Sequence, residues 1–374
     1  MRLLDRYLLR ELLLPLGLGI GGLLIFWSAG ELVGELADLQ KAKLHGLDVV
    51  LYCLTEAPEK MPLLLPIALL FAMLYALTQH ARHNEITAMR AAGISLVRLS
   101  LPYFATGLLL SLALFAINEF VVPAATVRGE EIKNRRVSTA SDVQERRLAR
   151  NFRLENMAER RYWHVGVFNL DTAEIKDVWI TEWQRDASLI KFHADQGLYT
   201  NGGWAFTNVK EFQQGPEKGA ALTPGVFTNY VFKADFIETP DQFRSEVKVS
   251  AGLTLRKAKR ADIPIADLLD YLRLHPKMDA RASAWVYTKL HGRFAAPWTC
   301  VVVVLIALPF GAMTGRKNVF VGVAGSIFIF FAFYVLSALG LTLGIAQLLP
   351  PWLAAWLPNL VFSCAALAMI ARVR

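Results

Sequence analysis

The chain has 374 residues, of which 54% are hydrophobic and 19% are charged, and its formal net charge is +8 at pH 7. Soluble domains carry about 25% charged residues, so this composition disfavours a soluble protein and favours a membrane protein. The basic excess alone does not indicate a nucleic-acid partner, because short loops rich in Lys and Arg give a membrane protein the same balance.

Stretches without Asp, Glu, Lys or Arg predict six membrane-spanning helices, because a bilayer core about 30 Å thick needs roughly 20 apolar helical residues. The uninterrupted runs are Leu12–Gly30, Met61–Ala81, Leu99–Asn118, Phe294–Gly315 and Asn318–Ala371. The last run is too long for one helix, and GIAQLLPP at 344–351 divides it into two spans. The spans show no paired Asp, Glu or His of the kind that marks a proton relay, which disfavours an ion-coupled transporter.

The basic residues near the span ends predict the orientation, because Lys and Arg in short loops favour the cytoplasmic side. Four groups fall on one side of the predicted spans: Arg2, Arg6 and Arg10; Arg82, Arg90 and Arg98; Arg316 and Lys317; Arg372 and Arg374. We therefore expect both termini in the cytoplasm and the segment between the third and fourth spans outside it.

That segment predicts an extracytoplasmic all-β domain of the sandwich or jelly-roll kind. Short runs rich in β-branched and aromatic residues, such as YWHVGVFNL and KDVWITEW, alternate with turn signals such as NLDTAE and TNGG. PAATVRGEEIKNRRV is expected to prolong the third span, and IADLLDYLRL and ASAWVYTKLHGRF to lead back to the fourth.

The predicted fold class is a polytopic α-helical membrane protein with six transmembrane helices and an inserted extracytoplasmic all-β, jelly-roll-like domain. Residues 1–122 hold the first three spans, 123–265 the β domain, and 266–374 a connecting helix and the last three spans.

The sequence contains no motif for catalysis or for nucleotide binding. HExxH, GxSxG and paired Cys motifs are absent, and GAMTGRKN at 311–318 lacks the Gly spacing and the Lys-Ser/Thr ending of a phosphate loop. Cys53, Cys300 and Cys364 have no metal-ligand spacing. We expect neither a catalytic nor a metal site, so any energy for transport must come from a partner.

The polar stretch HARHNEITAMRAAGISLVR at 80–98 predicts a short helix between the second and third spans. Asn84 suits the N-cap, Glu85 the first turn near the positive end of the helix dipole, and Gly93 the left-handed residue that ends a helix. We expect a helix from Glu85 to Ala92, within a loop element at 84–93.

One face of this helix would carry Glu85, Ala88, Met89 and Ala92. Small side chains let another backbone approach closely, and a charge at one end would fix the orientation of the partner. Such a surface suits a helix that docks in a cytoplasmic groove. The alternative is that Glu85 only stabilises its own helix.

RHNEITAMRAAGISLVRL resembles the region between the second and third spans of the LptF/LptG permeases, the membrane subunits of the lipopolysaccharide exporter. Other similar stretches are LDRYLLREL, TEAPEKMPLLLPIALLFAMLYAL, NEFVVP, KLHGRFAAPWTCVVVVLIALPFG and LPPWLAAWLPNLVF. The order of three spans, β domain and three spans is also similar, and LDRY favours the LptG side.

The resemblance implies a multi-pass protein of the bacterial inner membrane with a periplasmic β domain. It implies a heterodimer of LptF with LptG, a dimer of the ATPase LptB that binds ATP and Mg, and an LptC/LptA-like periplasmic bridge that receives the lipopolysaccharide. No cofactor is implied in this chain. By position, Glu85 matches the coupling-helix glutamate that contacts the ATPase, and Met89, Arg90 and Gly93 lie in the same motif.

The lipid A part of the substrate carries phosphates, which attract cations. The basic residues outside the spans on the non-cytoplasmic side are therefore candidate substrate contacts: Lys41, Lys43, Arg128, Lys133, Arg135, Arg136, Lys289 and Arg293. Each could instead be a snorkelling anchor at the membrane surface. Aromatic residues such as Trp163, Trp204 and Phe206 could line a path for acyl chains, but we expect them in the core of the β domain.

Two other functions remain open at this point. An ABC-type permease for another lipid or lipoprotein would copurify with a lipid that lacks phosphorylated glucosamine. A membrane-anchored scaffold or sensor that binds a periplasmic partner without transport would copurify with no ATPase, and Glu85→Ala would leave envelope assembly intact.

Overall fold

The computed structural model describes residues 3–41, 46–134, 147–184, 188–215, 223–254, 263–313 and 319–372. The chain divides into two compact units, of which the first combines Met1–Arg136 with Ala284–Arg374 and the second is Val137–Ser283. The second unit begins and ends later than the predicted β domain at 123–265, because the residues just after 122 are helical and helices follow the last strand.

Helices, most of them long, form the first unit; α6 (Pro240–Thr254) and α7 (Ile265–Leu274) belong to the second unit. Numbered in chain order, they are α1 (Leu3–Lys41), α2 (Gly46–Arg82), α3 (Glu85–Ala91), α4 (Leu96–Ala116), α5 (Val122–Asn134), α8 (Ala280–Ala295, which begins in the second unit), α9 (Thr299–Met313), α10 (Val319–Ile345) and α11 (Pro351–Arg372). A π-helical turn at Ile117–Val121 joins α4 to α5, and a 3₁₀ turn at Ala296–Trp298 joins α8 to α9.

Six helical segments in the described part of the chain are long and apolar enough to cross a membrane, as predicted. They are Leu3–Glu35, Gly46–Arg82, Val97–Gly129, Ala280–Pro309, Phe328–Ile345 and Pro351–Ala371. Several extend beyond the charge-free runs of the sequence, because a helix continues through charged residues when their side chains find partners. Together with the sheet of the second unit, these segments confirm the predicted fold class.

Ionisable side chains pair just beyond the charge-free runs, where α1 packs on α2. Lys60 of α2 lies 3.1 Å from Glu31 of α1, 3.3 Å from Glu56 and 3.6 Å from Glu59, and its side chain is only 7% exposed. A buried cation is tolerated in such a place because carboxylates pair with it.

The core of the first unit forms around α2. Leu69 and Met73 of α2 are fully buried, and α1 contributes Leu8, Leu12 and Leu16 to the same cluster. The spacing of four residues places these leucines on one stripe of α1. Large apolar side chains elsewhere on α1 are exposed, Leu14 and Phe26 for example, as suits a helix that faces lipid or another membrane subunit.

The described part of the second unit contains one antiparallel sheet, in which strands adjacent in sequence are adjacent in space. The strands are β1 (Leu148–Asn156), β2 (Arg161–Asn169), β3 (Glu174–Trp183), β4 (Leu189–Thr200), β5 (Gly203–Gln214) and β6 (Thr223–Lys233). Asn201 and Gly202 join β4 to β5 with φ of 48° and 79°, the conformation that two-residue hairpin loops favour.

Helices α6 (Pro240–Thr254) and α7 (Ile265–Leu274) follow the sheet. Phe243 of α6 lies in the aromatic core of the sheet, with ring centroids 5.2 Å from Trp163 and 5.3 Å from Trp204. Trp163 is 1% exposed, and Trp204 and Phe206 are 0% exposed. The expectation that these aromatic residues form the core is confirmed.

Candidate functional site

The short helix α3 has the predicted end. Gly93 has φ of 83°, its N–H donates to the carbonyl of Arg90, and the N–H of Ile94 donates to the carbonyl of Met89. These two bonds are the Schellman arrangement, which needs a left-handed residue just after the helix. The helix itself covers Glu85–Ala91, with Ala92 as its C-cap.

The prediction that the Asn84 side chain caps the start of α3 is wrong. Asn84 precedes the helix as expected, but its φ is 55° and its side chain makes no capping hydrogen bond. The cause is the short connection from α2, which continues to Arg82 and leaves only His83 and Asn84 for the change of direction. Asn adopts the left-handed conformation more readily than most residues, so Asn84 serves the turn instead of the cap.

Two residues of the same chain bind the carboxylate of Glu85. The Tyr7 hydroxyl of α1 donates to both oxygens, at 3.1 and 3.0 Å, and Nδ1 of His80 lies 2.7 Å from Oε2. Because Nδ1 faces a carboxylate, we assign the proton to Nδ1 as the donor. The rings of Tyr7 and His80 are 5.6 Å apart. Glu85 therefore joins α3 to α1 and to the end of α2.

The predicted face of Glu85, Ala88, Met89 and Ala92 is divided in the structure. Glu85 and Met89 are half-buried, and Met89 packs against the core of the first unit, whereas Ala88 and Ala92 are exposed. The hydrogen bonds to Glu85 turn that side of the helix towards the bundle. The outward surface consists of Thr87, Ala88, Arg90, Ala91 and Ala92.

A small cavity of about 20 Å³ lies between α3 and the helices beneath it, and Met89, His80 and Tyr103 of α4 are among its lining residues. Nε2 of His80 and the hydroxyl of Tyr103 are buried and have no hydrogen-bond partner among the described residues. Both residues are 2% exposed. Unpaired polar atoms are rare in protein interiors, so their occurrence at one cavity is notable.

A second polar contact holds α1 close to this site. Arg98 in the first turns of α4 forms an ion pair with Asp5 of α1, with 2.9 Å between Nη2 and the carboxylate. The start of α1 is thus bonded to Glu85, the first residue of α3, and to Arg98 on the helix that follows it.

The basic residues predicted to contact substrate are only partly described. Arg128 is exposed on α5, Lys289 is half-buried on α8, and Arg293 on the same helix is 7% exposed. Lys41 and Lys133 lie in helices, but their side chains are outside the described part of the chain. Lys43, Arg135 and Arg136 lie outside the described residues altogether.

A larger apolar cavity of about 560 Å³ lies among α4, α8 and α11. Its walls include the aromatic residues Phe115, Phe294, Trp298 and Trp356 together with His291. Lys289 and Arg293 are each two residues from His291 on α8, and residues two apart on a helix face different sides, so this spacing does not bring either cation to the cavity.

Sequence reasoning did not identify Tyr7 and His80. His80 is only five residues before Glu85, and that proximity was the one available signal. Tyr7 is separated from Glu85 by 78 positions, and nothing in the local pattern of either residue points to the other.

The six apolar helices and the sheet inserted between the third and fourth of them define a polytopic membrane protein with an inserted β domain. The family described as lipopolysaccharide export system permease LptF/LptG matches residues 6–372, nearly the whole chain. The chain therefore belongs to that family and is a multi-pass permease subunit of the inner membrane. The comparison with curated proteins gives no match.

Proposed function

We propose that this chain is the LptG-like member of a pair of paralogous permeases that extracts lipopolysaccharide from the inner membrane and passes it to an LptC/LptA-like periplasmic bridge. The family match over residues 6–372 is the observation that carries this proposal. An LptB-like ATPase dimer would bind ATP and Mg and supply the energy. The sequence motif LDRY supports the LptG side of the pair.

In this proposal α3 and both termini lie in the cytoplasm and the β domain lies in the periplasm. The distribution of Arg and Lys supports the orientation. The contacts of Tyr7 with Glu85 and of Asp5 with Arg98 also support it in part, because they require the start of α1 and the α3 loop to be at the same end of the bundle.

The ATPase would dock on the outward surface of α3. Thr87, Ala88 and Ala91 are small and exposed there, so the backbone of the helix can approach the walls of a groove closely. Glu85 stands at the edge of this surface with 32% of its side chain exposed, and its carboxylate can accept further hydrogen bonds from a partner. Met89 seats the helix on the bundle, Arg90 is exposed, and Gly93 permits the turn that follows.

Lipopolysaccharide would be held by cations at its phosphates and by apolar surface at its acyl chains. The apolar cavity of about 560 Å³, which His291 and Phe294 of α8 help to line, is the candidate place for the acyl chains. A cavity of that size lies within the range of small-molecule sites. The eight candidate cations depend on the family resemblance and on their position outside the charge-free runs of the sequence; they are Lys41, Lys43, Arg128, Lys133, Arg135, Arg136, Lys289 and Arg293.

Affinity purification in mild detergent, with identification of the bound subunits and lipid, tests the proposal. We expect an ATPase, a paralogous permease and lipopolysaccharide to copurify with the wild-type chain. Glu85→Ala and Glu85→Lys should release the ATPase and stop delivery of lipopolysaccharide to the cell surface, while the amount of inserted protein stays unchanged. Ala88→Trp should do the same by blocking close approach. Glu159→Ala removes an exposed carboxylate of the second unit and is the matched control.

The results also separate this function from its alternatives. If Glu85→Ala retains both ATPase binding and lipopolysaccharide delivery, the assignment of α3 as the coupling helix is wrong. A copurified lipid without phosphorylated glucosamine would identify a permease for another cargo. A chain that copurifies without any ATPase would identify a scaffold or sensor.

A further inference from the structure

The carboxylate of Glu85 is bonded within its own chain before any partner docks. Its two oxygens accept hydrogen bonds from Tyr7, and Oε2 also lies 2.7 Å from Nδ1 of His80. Tyr7 belongs to α1 and His80 to α2, which are the first and second spans. A force applied to Glu85 therefore reaches two membrane helices through the shared hydrogen bond of the Tyr7 hydroxyl and the hydrogen bond of His80.

We propose that Tyr7 and His80 are positioning residues that transmit the movement of α3 to α1 and α2 during the transport cycle. This inference rests on the proposed function, because it assumes that an ATPase moves α3. Tyr7 would be the link to the first span and His80 the link to the second. Hydrogen bonds to a charged group are stronger than those between neutral groups. These bonds can therefore transmit a displacement of α3, whereas helices in apolar contact alone can slide past one another.

The contacts of α1 near this end favour Tyr7 as its link to α3. Leu8, Leu12 and Leu16 pack along one apolar stripe in the core of the bundle, and Asp5 pairs with Arg98 of α4. The leucine contacts are not directional. The bond of Asp5 to Arg98 is directional, but it connects α1 to α4 and not to α3. Tyr7 gives α1 a directional bond to α3 itself.

The cavity beneath α3 supports a contact that can rearrange. Nε2 of His80 and the hydroxyl of Tyr103 are both buried without a partner among the described residues, and both residues line this cavity. A buried polar group without a partner lowers the stability of the arrangement that contains it. A movement of α3 that supplied a partner to either group would gain that hydrogen bond, and the cavity lies directly beside both groups.

The test uses the full chain copurified with its permease partner and ATPase and reconstituted in vesicles that contain lipopolysaccharide. Two quantities are measured: ATPase association, and the amount of lipopolysaccharide extracted per ATP hydrolysed. Tyr7→Phe should leave association within about twofold of wild type and lower the extraction ratio roughly ten- to hundredfold, as expected for the loss of a hydrogen bond to a charged group. His80→Leu should lower the ratio similarly.

Conservative and matched variants separate transmission from simple folding effects. His80→Gln keeps an N–H donor near Glu85 and should recover at least part of the ratio that His80→Leu loses. Tyr75→Phe is the matched control, because Tyr75 lies on α2, is 52% exposed and bonds only with Gln79 among the described residues. It should leave both quantities unchanged.

The outcomes distinguish this inference from the proposed function. If Glu85→Ala releases the ATPase but Tyr7→Phe and His80→Leu keep the wild-type extraction ratio, transmission through these residues is wrong and the proposed function stands. If Tyr7→Phe releases the ATPase as fully as Glu85→Ala does, Tyr7 only holds α3 in place and the inference is again wrong. If Glu85→Ala changes neither quantity, the coupling role of α3 fails, and with it this inference.

Discussion

Lys60 of α2 and Glu31 of α1 form an ion pair with 3.1 Å between Nζ and Oε1, and their side chains are 7% and 14% exposed. The pair holds α1 to α2 at the end of the helices far from α3. At the near end, α1 is held by the contacts of Tyr7 and Asp5. The apolar stripe of α1 thus lies between two sets of polar contacts, which fix the position of the helix along its axis.

Replacement of Lys60 should destabilise the packing of α1 on α2. Lys60→Met leaves Glu31, Glu56 and Glu59 close together without their cation, and loss of one partner of a buried ion pair costs about 3–5 kcal/mol. Lys60→Arg keeps the charge and should cost less. The measurement is the melting temperature of the purified chain in detergent, with Lys210→Met, at an exposed position of β5, as control. Equal melting temperatures for Lys60→Met and Lys60→Arg would contradict the prediction.

The second unit contains a comparable buried pair. Nη1 of Arg161 lies 3.0 Å from Oε2 of Glu238, with 2% and 1% of these residues exposed, and the guanidinium also covers the ring of Phe236 at 4.0 Å. Glu238→Ala leaves this guanidinium without its main partner, so we expect a loss of about 3–5 kcal/mol in stability of the unit. Thermal melting of the full chain and, separately, hydrogen exchange of the β2 amides measure the effect.

Two further variants test whether charge burial is the cause. Asp171→Ala breaks an exposed pair with Arg147 and should change stability by less than about 1 kcal/mol. The double variant Arg161→Met, Glu238→Leu removes both charges and should be more stable than Glu238→Ala alone. A double variant as unstable as the single one would show that packing, and not the unpaired charge, is responsible.

The features predictable from the sequence are those with a local pattern. Runs of apolar residues gave the six spans because the bilayer thickness sets their length, and Asn201-Gly202 gave a hairpin because the loop needs positive φ at both positions. Gly93 was predictable for the same reason at the end of α3.

Contacts between residues distant in sequence have no such pattern. The carboxylate of Glu85 could be assigned to a first helical turn, but its bonding to Tyr7 depends on how α1 packs beside α3. Lys60 looks like the polar end of a span in the sequence, whereas α2 extends from Gly46 and carries it into contact with Glu31. Asn84 was misassigned because the short turn from α2 requires its left-handed conformation.

Gly93→Ala tests the conformational requirement at the end of α3. No atom of the described residues lies within 4 Å of the position that a Cβ would occupy, so the expected cost comes from φ of 83° alone, about 1 kcal/mol. The local opening of α3 should therefore become easier, which hydrogen exchange of its amides measures. Gly22→Ala is the control, because Gly22 lies inside α1 with equally open space and Ala favours a helix there. Unchanged exchange in α3 of the Gly93 variant would contradict this account.

A buried carboxyl in the second unit should make its stability depend on pH. Glu246 of α6 accepts a hydrogen bond from the Tyr271 hydroxyl of α7 at 3.0 Å, and Nε2 of His275 lies 3.9 Å from the same oxygen. Burial raises the pKa of Glu246 to about 7, the hydrogen bond from Tyr271 opposes this shift, and the charge of Glu155 adds to it. Burial also lowers the pKa of His275 below its ordinary value.

Between about pH 4.5 and 7 the unfolded chain releases the proton of Glu246 while the folded unit retains it, so this residue lowers stability as pH rises through that window. His275 acts in the opposite sense below about pH 6.5, because the unfolded chain binds a proton that the folded unit disfavours. Glu246→Gln removes only the first effect. From pH 5 to pH 8, hydrogen-exchange protection of α6 should fall by on the order of 2 kcal/mol more in the wild type than in this variant. Equal changes in the two proteins would mean that Glu246 ionises at its ordinary pKa in the folded unit.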